Sequence, residues 1–239
     1  MTQVTSNKIT VRPGDARGAT QLGWLHSRHA FSFGQYHDPA NTGFRSLRVI
    51  NDDVISPGTG FGEHGHDNME ILTWVVDGAL RHGDSLGHSQ VLEPGELQAM
   101  SAGSGIQHSE YNGSKTQRAH FLQIWIEPDK RDVEPRYDQG RFDAEGRRNR
   151  WQTLASGTGG DGALPIHRDA EMRVADLEVG AVLEVKVGSR RYGYVHVVTG
   201  LVHTGGQSLK DGDAFTAEPG ALITLKAAQP SQVIWFDLD

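Results

Sequence analysis

Residues 58–70 have the sequence GTGFGEHGHDNME, and residues 103–112 have the sequence GSGIQHSEYN. The first stretch contains two histidines at i, i+2 spacing, and the second contains a histidine and a glutamate at the same spacing. On a β-strand, residues two apart point to the same face of the sheet. If these two strands lie side by side, three imidazoles and one carboxylate converge, which predicts a metal site formed by His64, His66, His108 and Glu110.

Short apolar runs separated by turns predict an all-β fold. Residues 69–76 are apolar at nearly every position, as expected for a strand buried on both faces, and residues 121–126 form a second apolar run. Turn dipeptides such as Asp77-Gly78 and Pro94-Gly95 recur at intervals of about eight to twelve residues. This alternation is typical of a β-barrel or β-sandwich.

The two halves of the chain resemble degenerate copies of one unit. Residues 74–80 (WVVDGAL) are similar to residues 196–202 (HVVTGLV). Ungapped counts from matching glycines place the second-half residues Lys186, Gly188, Leu225 and Ala227 where the first half has His64, His66, His108 and Glu110. We therefore predict a metal-binding N-terminal domain at 1–135, a charged linker at 136–163, and a C-terminal domain without metal ligands at 164–239.

Composition excludes several classes of function. The chain has no cysteine, so disulfides and thiolate ligands are excluded, and its net charge of -7 argues against nucleic acid as a partner. No apolar run is long enough to span a membrane, and residues 1–8 lack the apolar core of a signal peptide. These features predict a cytoplasmic protein that binds neither nucleic acid nor a membrane.

Imidazole and carboxylate ligands suit Fe(II), Mn(II), Ni(II), Cu(II), Co(II) or Zn(II). Four protein ligands leave about two open positions on an octahedral ion for a substrate oxygen and O2. Glu70 has the same strand parity as His64, but it begins the buried strand, and we expect it not to be a ligand. The remaining histidines are expected to be structural, with His29 a candidate for lining a pocket entrance: His26, His29, His37, His82, His88, His120, His167, His196 and His203.

Two motifs resemble those of the cupin superfamily. The first is carried by Gly58, His64, His66, Glu70 and Gly78, and the second by Gly95, Gly105, His108 and Asn112. Within the cupins, residues 47–53, 66–73 and 98–110 are similar to the pirin family, specifically to its bacterial members of the quercetin 2,3-dioxygenase type. One departure is Gly65, where the family often has proline, and this predicts a looser ligand loop.

The resemblance implies a bicupin fold with metal in the N-terminal barrel only. It implies that His64, His66, His108 and Glu110 bind one divalent metal, Fe(II) first, with Zn, Mn, Ni, Co or Cu as alternatives. The implied reaction converts a flavonol and O2 to a depside and carbon monoxide. The substrate 3-hydroxyl would bind the metal as a flavonolate, because a cation lowers the pKa of a bound hydroxyl, and Glu110 is the candidate base.

A flat aromatic substrate needs an apolar slot, for which Met69, Trp74 and Phe33 are candidates. Two other functions remain open at this point. The same metal site would serve a metal- or redox-sensing regulator that acts through a protein partner, as the resemblance to eukaryotic pirins implies. The same barrel would also suit another small-molecule oxygenase or isomerase, since one fold hosts many chemistries. Release of carbon monoxide from quercetin would distinguish the dioxygenase from the regulator.

Overall fold

A computed structural model describes residues 9–160 and 162–239. Residues 1–8, which carry the prediction about a signal peptide, and residue 161 of the predicted linker lie outside the described residues. The first eleven strands are β1 (Ile9–Arg12), β2 (Gly18–Gln21), β3 (Leu25–His29), β4 (Leu47–Ile55), β5 (Gly60–His66), β6 (Glu70–Asp77), β7 (Leu80–Asp84), β8 (Ser89–Leu92), β9 (Glu96–Ser101), β10 (Ile106–Asn112) and β11 (Ala119–Ile126).

The second half of the described chain is also almost entirely strand. Its strands are β12 (Arg136–Arg141), β13 (Gln152–Ser156), β14 (Leu164–Pro165), β15 (Ala170–Leu177), β16 (Val182–Lys186), β17 (Tyr192–Thr199), β18 (Leu201–Thr204), β19 (Gln207–Lys210), β20 (Ala214–Ala217), β21 (Leu222–Ala227) and β22 (Ser231–Leu238). The helices are a 3-10 turn at Gly14–Ala16 and α1 at Ala144–Arg147, so the predicted all-β class is confirmed. Within the described ranges, no helix is long and apolar enough to cross a membrane.

The chain divides into two compact units. The first unit comprises Arg17–Phe142 and Ala155–Asp169, and the second comprises residues 9–16, Asp143–Leu154 and Ala170–Asp239. The first unit has a sheet of order β12-β9-β6-β11-β4-β3-β2 and a smaller sheet of order β5-β10-β7-β8. The other two sheets have the orders β1-β20-β17-β22-β15-β13-β14 and β16-β21-β18-β19, and β13 pairs with β14 in parallel whereas β3 pairs with β2 antiparallel. The correspondence of the two orders agrees with the internal similarity of the sequence.

The charged segment predicted as a linker contains regular structure. Strand β12 pairs with β9 from Arg136, opposite Ser101, to Arg141, opposite Glu96. Its charge is compatible with its position at the edge of a sheet, where charged side chains reach solvent. Strand β1 takes the equivalent edge position in the second unit. Each compact unit consists of segments that are separate in the sequence. The boundaries at 135 and 164 stay a prediction.

Strand β6 is the buried strand that the sequence predicts. Its first six residues are buried, and it lies between β9 and β11. It ends at a tight turn in which Gly78 has a φ of 77°. A Cβ atom on Gly78 would lie 2.5 Å from the carbonyl oxygen of Arg118, so both the conformation and the space require glycine.

The interior of the second unit is filled by apolar side chains. Leu183, Val185, Ile223 and Leu225 are buried in one cluster on β16 and β21. The ungapped count places Lys186 at the position of His64, but Lys186 is exposed while its neighbours Val185 and Val187 are buried in the core. The count is therefore wrong by an odd number of residues in β16. The conclusion drawn from it is unaffected, because no candidate metal cluster occurs among the described residues of this unit.

Candidate metal centre

Strands β5 and β10 lie side by side, as the two histidine motifs predict. They pair antiparallel, with His108 opposite His64 and Ile106 opposite His66. The register shifts between His108 and Glu110, so that Glu110 lies opposite Phe61. The smaller sheet of the first unit therefore carries all four predicted residues on two neighbouring strands.

Three imidazoles form a compact group. Ligand nitrogens of His64, His66 and His108 lie within 4.8 Å of one another, and the ring centroids are 4.4–4.9 Å apart. His64 donates from Nδ1 to the carbonyl oxygen of Gly62 at 2.7 Å, which leaves its Nε2 lone pair free for a metal. Both ring nitrogens of buried His108 lack a hydrogen-bond partner among the described residues. Buried polar atoms are normally paired, so this arrangement fits a metal ligand.

Two of these imidazoles are neutral at neutral pH. Burial, followed by repulsion from His64, lowers the pKa of His66 to about 4. Burial and repulsion from His64 and His66 lower the pKa of His108 to about 3. Metal ions bind the neutral imidazole, so the group is poised to accept a cation without first losing protons from these two residues.

Glu110 lies beside His108 but outside the group of three imidazoles. An oxygen of Glu110 lies within 4.8 Å of ligand nitrogens on His108 and His82. The carboxyl group accepts hydrogen bonds from the side-chain amide of Gln123 and, at 3.3 Å, from the hydroxyl of Thr73. Burial and repulsion from Asp53 raise its pKa to about 8 despite these hydrogen bonds. Glu110 is therefore predominantly protonated at neutral pH when no cation is near.

His82 is a site residue that sequence reasoning assigned to a structural role. Its side chain is fully buried, and its Nε2 donates to the carboxylate of Asp84 at 2.8 Å. His88 donates to the same carboxylate at 3.0 Å, and the ring of Tyr137 stacks on both histidines. Burial opposes ionisation of Asp84, but the hydrogen bonds from His82 and His88 outweigh it and lower the pKa of Asp84. In the sequence, the i, i+2 spacing of His82 and Asp84 places both side chains on one face of a strand. This face can be assigned to the metal site only once β7 is known to pair with β10.

Glu70 lies outside both groups of candidate ligands. It is 1% exposed and accepts a hydrogen bond from the hydroxyl of Ser101 at 2.7 Å. Burial raises its pKa, so the buried group is stabilised in its neutral form. Its strand parity matches that of His64, but the turn at residues 67–69 separates the two side chains.

A cavity of about 330 Å³ opens onto the candidate ligands. Its apolar lining comprises Leu22, Leu25, Phe33, Phe61 and Trp125. The prediction that Phe33 lines a slot is supported, whereas Trp74 and Met69 are not part of this lining. His29 also lines the cavity; it donates from Nδ1 to Asn51 at 2.7 Å and accepts at Nε2 from the hydroxyl of Thr20 at 2.8 Å.

The donor set fits a divalent transition metal. It offers neutral nitrogen and carboxylate oxygen only, the ligands that such ions take in open sites. Three imidazoles already face one point, and a buried carboxyl group lies next to one of them. An adjacent cavity with apolar walls gives a small organic molecule access to that point.

Comparison with known proteins agrees with this arrangement. Residues 10–126 match the family model described as pirin, and residues 153–238 match the one described as quercetinase C-terminal cupin domain. The chain is 42% identical over 231 residues to a protein of Escherichia coli K12 named quercetin 2,3-dioxygenase, covering 96% of this chain and 98% of that protein. The chain belongs to the pirin family.

Solved structures of pirins confirm the bicupin fold. The crystal structure of YhhW from Escherichia coli has a TM-score of 0.92 and 42% identity to this chain, covering 97% of each chain. A second structure, described as bacterial pirin YhhW of Escherichia coli in complex with nickel(II), has a TM-score of 0.91 and 41% identity, covering 96% of this chain and 98% of that chain. This pirin thus shares its fold over nearly its full length with a relative that binds a divalent metal.

Proposed function

We propose that this pirin is a metal-dependent quercetin 2,3-dioxygenase, which converts a flavonol and O2 to a depside and carbon monoxide. The observation that carries the proposal is the group of three imidazoles at the wall of an apolar cavity. The name of the Escherichia coli relative supports the choice of substrate. The proposed site lies in the first unit.

The proposed ligands are His64, His66, His108 and Glu110, which hold one divalent transition metal. We assign Fe(II) as the native ion, and the same donor set also accepts Zn, Mn, Ni, Co or Cu, since availability often decides among them. The nickel(II) complex of the relative supports a single divalent ion. When bound, the metal would act as a Lewis acid at the wall of the cavity.

Glu110 is the proposed base for the 3-hydroxyl proton of the substrate. In its ionised form, one carboxylate oxygen accepts that proton while Thr73 and Gln123 hold the group in place. Without a metal, burial and repulsion from Asp53 raise the pKa of Glu110 to about 8; a cation at the site lowers this pKa and keeps the group in the ionised form that accepts a proton. A positioned base of this kind contributes roughly 10²–10⁴-fold to a rate.

The apolar walls of the cavity orient the substrate and exclude water. Phe33, Phe61 and Trp125 offer ring surfaces to a planar molecule, and two leucines complete the lining. A substrate fixed in this way presents the same carbon atoms to O2 in each turnover, which is an entropic contribution to the rate. Exclusion of water also favours transfer of the hydroxyl proton to Glu110 over exchange with solvent.

The test is a turnover assay coupled to metal analysis. The purified chain is stripped, reloaded with each candidate metal under anaerobic conditions, and mixed with quercetin and then with O2. We expect about one metal per chain, O2 uptake and release of carbon monoxide in proportion to the quercetin consumed. The His108→Ala variant serves as the inactive control. Metal binding without O2 uptake or carbon monoxide under any of these metals would reject the dioxygenase and favour the sensing regulator with a protein partner.

A further inference from the structure

His108 is a proposed ligand whose ring has no hydrogen-bonding support of its own. A histidine that binds a metal through one ring nitrogen normally donates the N–H of the other to an acceptor, which fixes the ring and its tautomer. His64 follows this rule, because its Nδ1 donates to the carbonyl oxygen of Gly62 at 2.7 Å. Neither nitrogen of buried His108 has a hydrogen-bond partner among the described residues. Once a metal takes one of these nitrogens, the N–H of the other still needs an acceptor.

His82 is the neighbouring ring that has a nitrogen to offer. Strand β7 pairs with β10 in a register that sets His82 opposite Glu110. His108, two residues before Glu110, is therefore a diagonal neighbour of His82 on the same face of the sheet. The two ring centroids are 5.5 Å apart, and one ring nitrogen of His82 lies within 4.8 Å of one ring nitrogen of His108. A small rotation of either ring brings facing nitrogens to hydrogen-bond distance.

The hydrogen bond to Asp84 decides which nitrogen of His82 is free. Its Nε2 donates to the carboxylate of Asp84 at 2.8 Å, and both side chains are fully buried. Burial lowers the pKa of His82 despite this hydrogen bond, so the ring is neutral at neutral pH and has a single N–H. Its Nδ1 is therefore an acceptor, and this buried atom has no hydrogen-bond partner within the part of the chain that the structure describes.

Stacking holds the plane of the His82 ring. Tyr137 on β12 stacks on it with centroids 4.6 Å apart and an interplanar angle of 27°. The same tyrosine stacks on His88 at 4.8 Å, and its hydroxyl donates to Gln139 at 2.9 Å. Since Tyr137 fixes the plane and Asp84 fixes the rotation, the Nδ1 lone pair of His82 points in one direction. A residue that orients a metal ligand needs this kind of fixed geometry.

Glu110 is the other group close to both rings, and it is a poorer acceptor for His108. Its two carboxyl oxygens already accept hydrogen bonds from Thr73 and Gln123. The proposed function also uses this carboxyl group as a metal ligand and a base. His82 has neither of these competing roles.

We infer that His82 is a positioning residue of the metal centre: its Nδ1 accepts the N–H of His108 that the metal leaves free, and Asp84 holds it in the tautomer that does so. The series Asp84, His82, His108 then joins a buried carboxylate to the metal through two imidazoles. The carboxylate strengthens His82 as an acceptor, which in turn makes His108 a better donor of its lone pair to a cation. The inference rests on the proposed function, because it takes His108 as a metal ligand.

Two substitutions separate the acceptor of His82 from its donor. In His82→Asn the amide oxygen takes the place of Nδ1, but the side chain is too short to donate to Asp84. In His82→Gln the amide group reaches the place of Nε2, but a carbon atom takes the place of Nδ1. A residue that only supports the fold through Asp84 should tolerate glutamine better, whereas an acceptor for His108 should tolerate asparagine better.

The test compares Zn(II) affinities by competition with a chelating dye. We expect Zn(II) binding to be weakened by about tenfold in His82→Gln, in the usual range for loss of such a partner, and by less than about threefold in His82→Asn. His88 donates to the same carboxylate at 3.0 Å but belongs to neither candidate ligand group. His88→Asn is therefore the matched control, and it should change the affinity by less than about twofold.

A measurement on the wild-type chain tests the same contact without a variant. Nuclear magnetic resonance spectra of isotope-labelled histidine rings identify the protonated nitrogen of each ring in the Zn(II)-loaded chain. We expect the proton of His82 on Nε2, and a scalar coupling across the hydrogen bond between the ring nitrogens of His82 and His108. A purely structural role of His82 gives no such coupling.

The possible failures differ in meaning. A proton of His82 on Nδ1, or unchanged Zn(II) affinity in His82→Gln, would overturn the inference. Equal or greater weakening in His82→Asn would also overturn it, because the bond to Asp84 alone would then explain the loss. If the wild-type chain binds no Zn(II), the proposed function fails and the inference fails with it. Zn(II) binding that follows these expectations, without turnover of quercetin under any metal, would support the inference and reject the dioxygenase.

Discussion

Gln123 on β11 donates its side-chain amide to the carboxyl group of Glu110 on β10, which lies in the other sheet of the first unit. Thr73, which is in register with Gln123 on β6, donates to the second oxygen at 3.3 Å. The larger sheet thus holds the carboxyl group, while the three imidazoles come together on the smaller sheet without it. We therefore expect the three imidazoles to contribute more to metal affinity than Glu110 does.

The Glu110→Gln variant should separate metal binding from turnover. Glutamine keeps the shape of the side chain and an acceptor oxygen for one of the two donors Thr73 and Gln123, but it cannot act as a base for the substrate proton. The three imidazoles remain, so we expect metal content to fall by no more than about half. Turnover should fall by roughly 10²-fold or more, the usual effect of losing a general base. Metal analysis and O2 uptake on the same preparation measure both; a parallel loss of the two would defeat the base assignment.

Loss of one imidazole should remove the metal itself, and turnover should be lost with it. His108 lies next to both other imidazoles and also next to Glu110, so His108→Ala removes the ligand that connects the pair His64 and His66 with the carboxyl group. We expect the purified variant to contain less than about a tenth of the wild-type metal and to show no measurable turnover. His203→Ala is the matched control, because His203 is exposed in the second unit and bonds to Ser208. A variant lacking His108 that retained full metal content would refute ligation by this residue.

The sequence predicts the metal site better than its surroundings, for a physical reason. Two residues at i, i+2 spacing share a face on any strand, so the pairs at 64/66 and 108/110 are visible without knowledge of the fold. Asp84, Gln123 and Thr73 belong to the site through strand pairing and side-chain contacts between sheets, which local patterns do not encode. The position of His82 beside His108 is hidden from the sequence for the same reason, since its partner strand is known only from the register.

The glycine between the first two histidines shows the limit of local reasoning. The sequence suggests that Gly65 loosens the ligand loop, but residue 65 lies within β5 and pairs with Gln107 on β10. A Cβ atom there would lie 2.6 Å from the side-chain amide nitrogen of Gln107. That atom is the flexible end of an exposed side chain and can move, so ladder hydrogen bonds, rather than the residue type at 65, fix this part of the backbone.

Metal binding at neutral pH should release a proton from Glu110. Without a cation its pKa is about 8, so the group is mostly protonated at pH 7, and it must ionise to become a ligand. His66 and His108, with pKa values of about 4 and 3, have no proton to lose at this pH. Metal affinity should therefore rise with pH up to about 8. Calorimetric titration of the metal in buffers of different ionisation enthalpy measures the number of protons released on binding. We expect Glu110 to release up to about one proton at pH 7 and nearly none above pH 9.

The Glu110→Gln variant is the control for this measurement. Glutamine has no proton to release, so metal affinity in the variant should depend less on pH between pH 7 and 9 than in the wild-type chain. Loss of metal through protonation of His66 and His108 should begin only near pH 4, well below the range expected for an ordinary imidazole. Unchanged proton release in the variant would contradict the assignment to Glu110.

The metal-free chain should lose stability as the pH rises from about 6.5 to 8.5. Burial raises the pKa of Asp53 to about 7, and that of Glu110 is about 8, whereas both are near 4 in the unfolded chain. The folded state therefore binds more protons in this window, and stability is lost as the pH passes through the folded values. Scanning calorimetry should show a Tm that falls by several degrees, and by less in Glu110→Gln. A Tm that rises across this window would contradict the buried, neutral state of these carboxyl groups.

Asp84 should be needed for the stability of the first unit more than for metal retention. Its buried carboxylate accepts hydrogen bonds from His82, His88 and the backbone N–H of Leu86, and it is not part of the candidate ligand group formed by the three imidazoles. In Asp84→Asn the amide N–H group faces histidine N–H donors, so a buried polar atom loses its partner at a cost of about 1–3 kcal/mol.

The expected fall in Tm for Asp84→Asn is on the order of 5 °C, because about 1 kcal/mol shifts Tm by about 2–4 °C in a chain of this size. The exposed Asp77→Asn change, at the end of β6, is the matched control and should shift Tm by less than about 2 °C. Metal content of folded Asp84→Asn should remain near that of the wild-type chain. If the variant instead keeps its Tm but loses metal, then His82 and Asp84 belong to the metal-binding set itself rather than to its support.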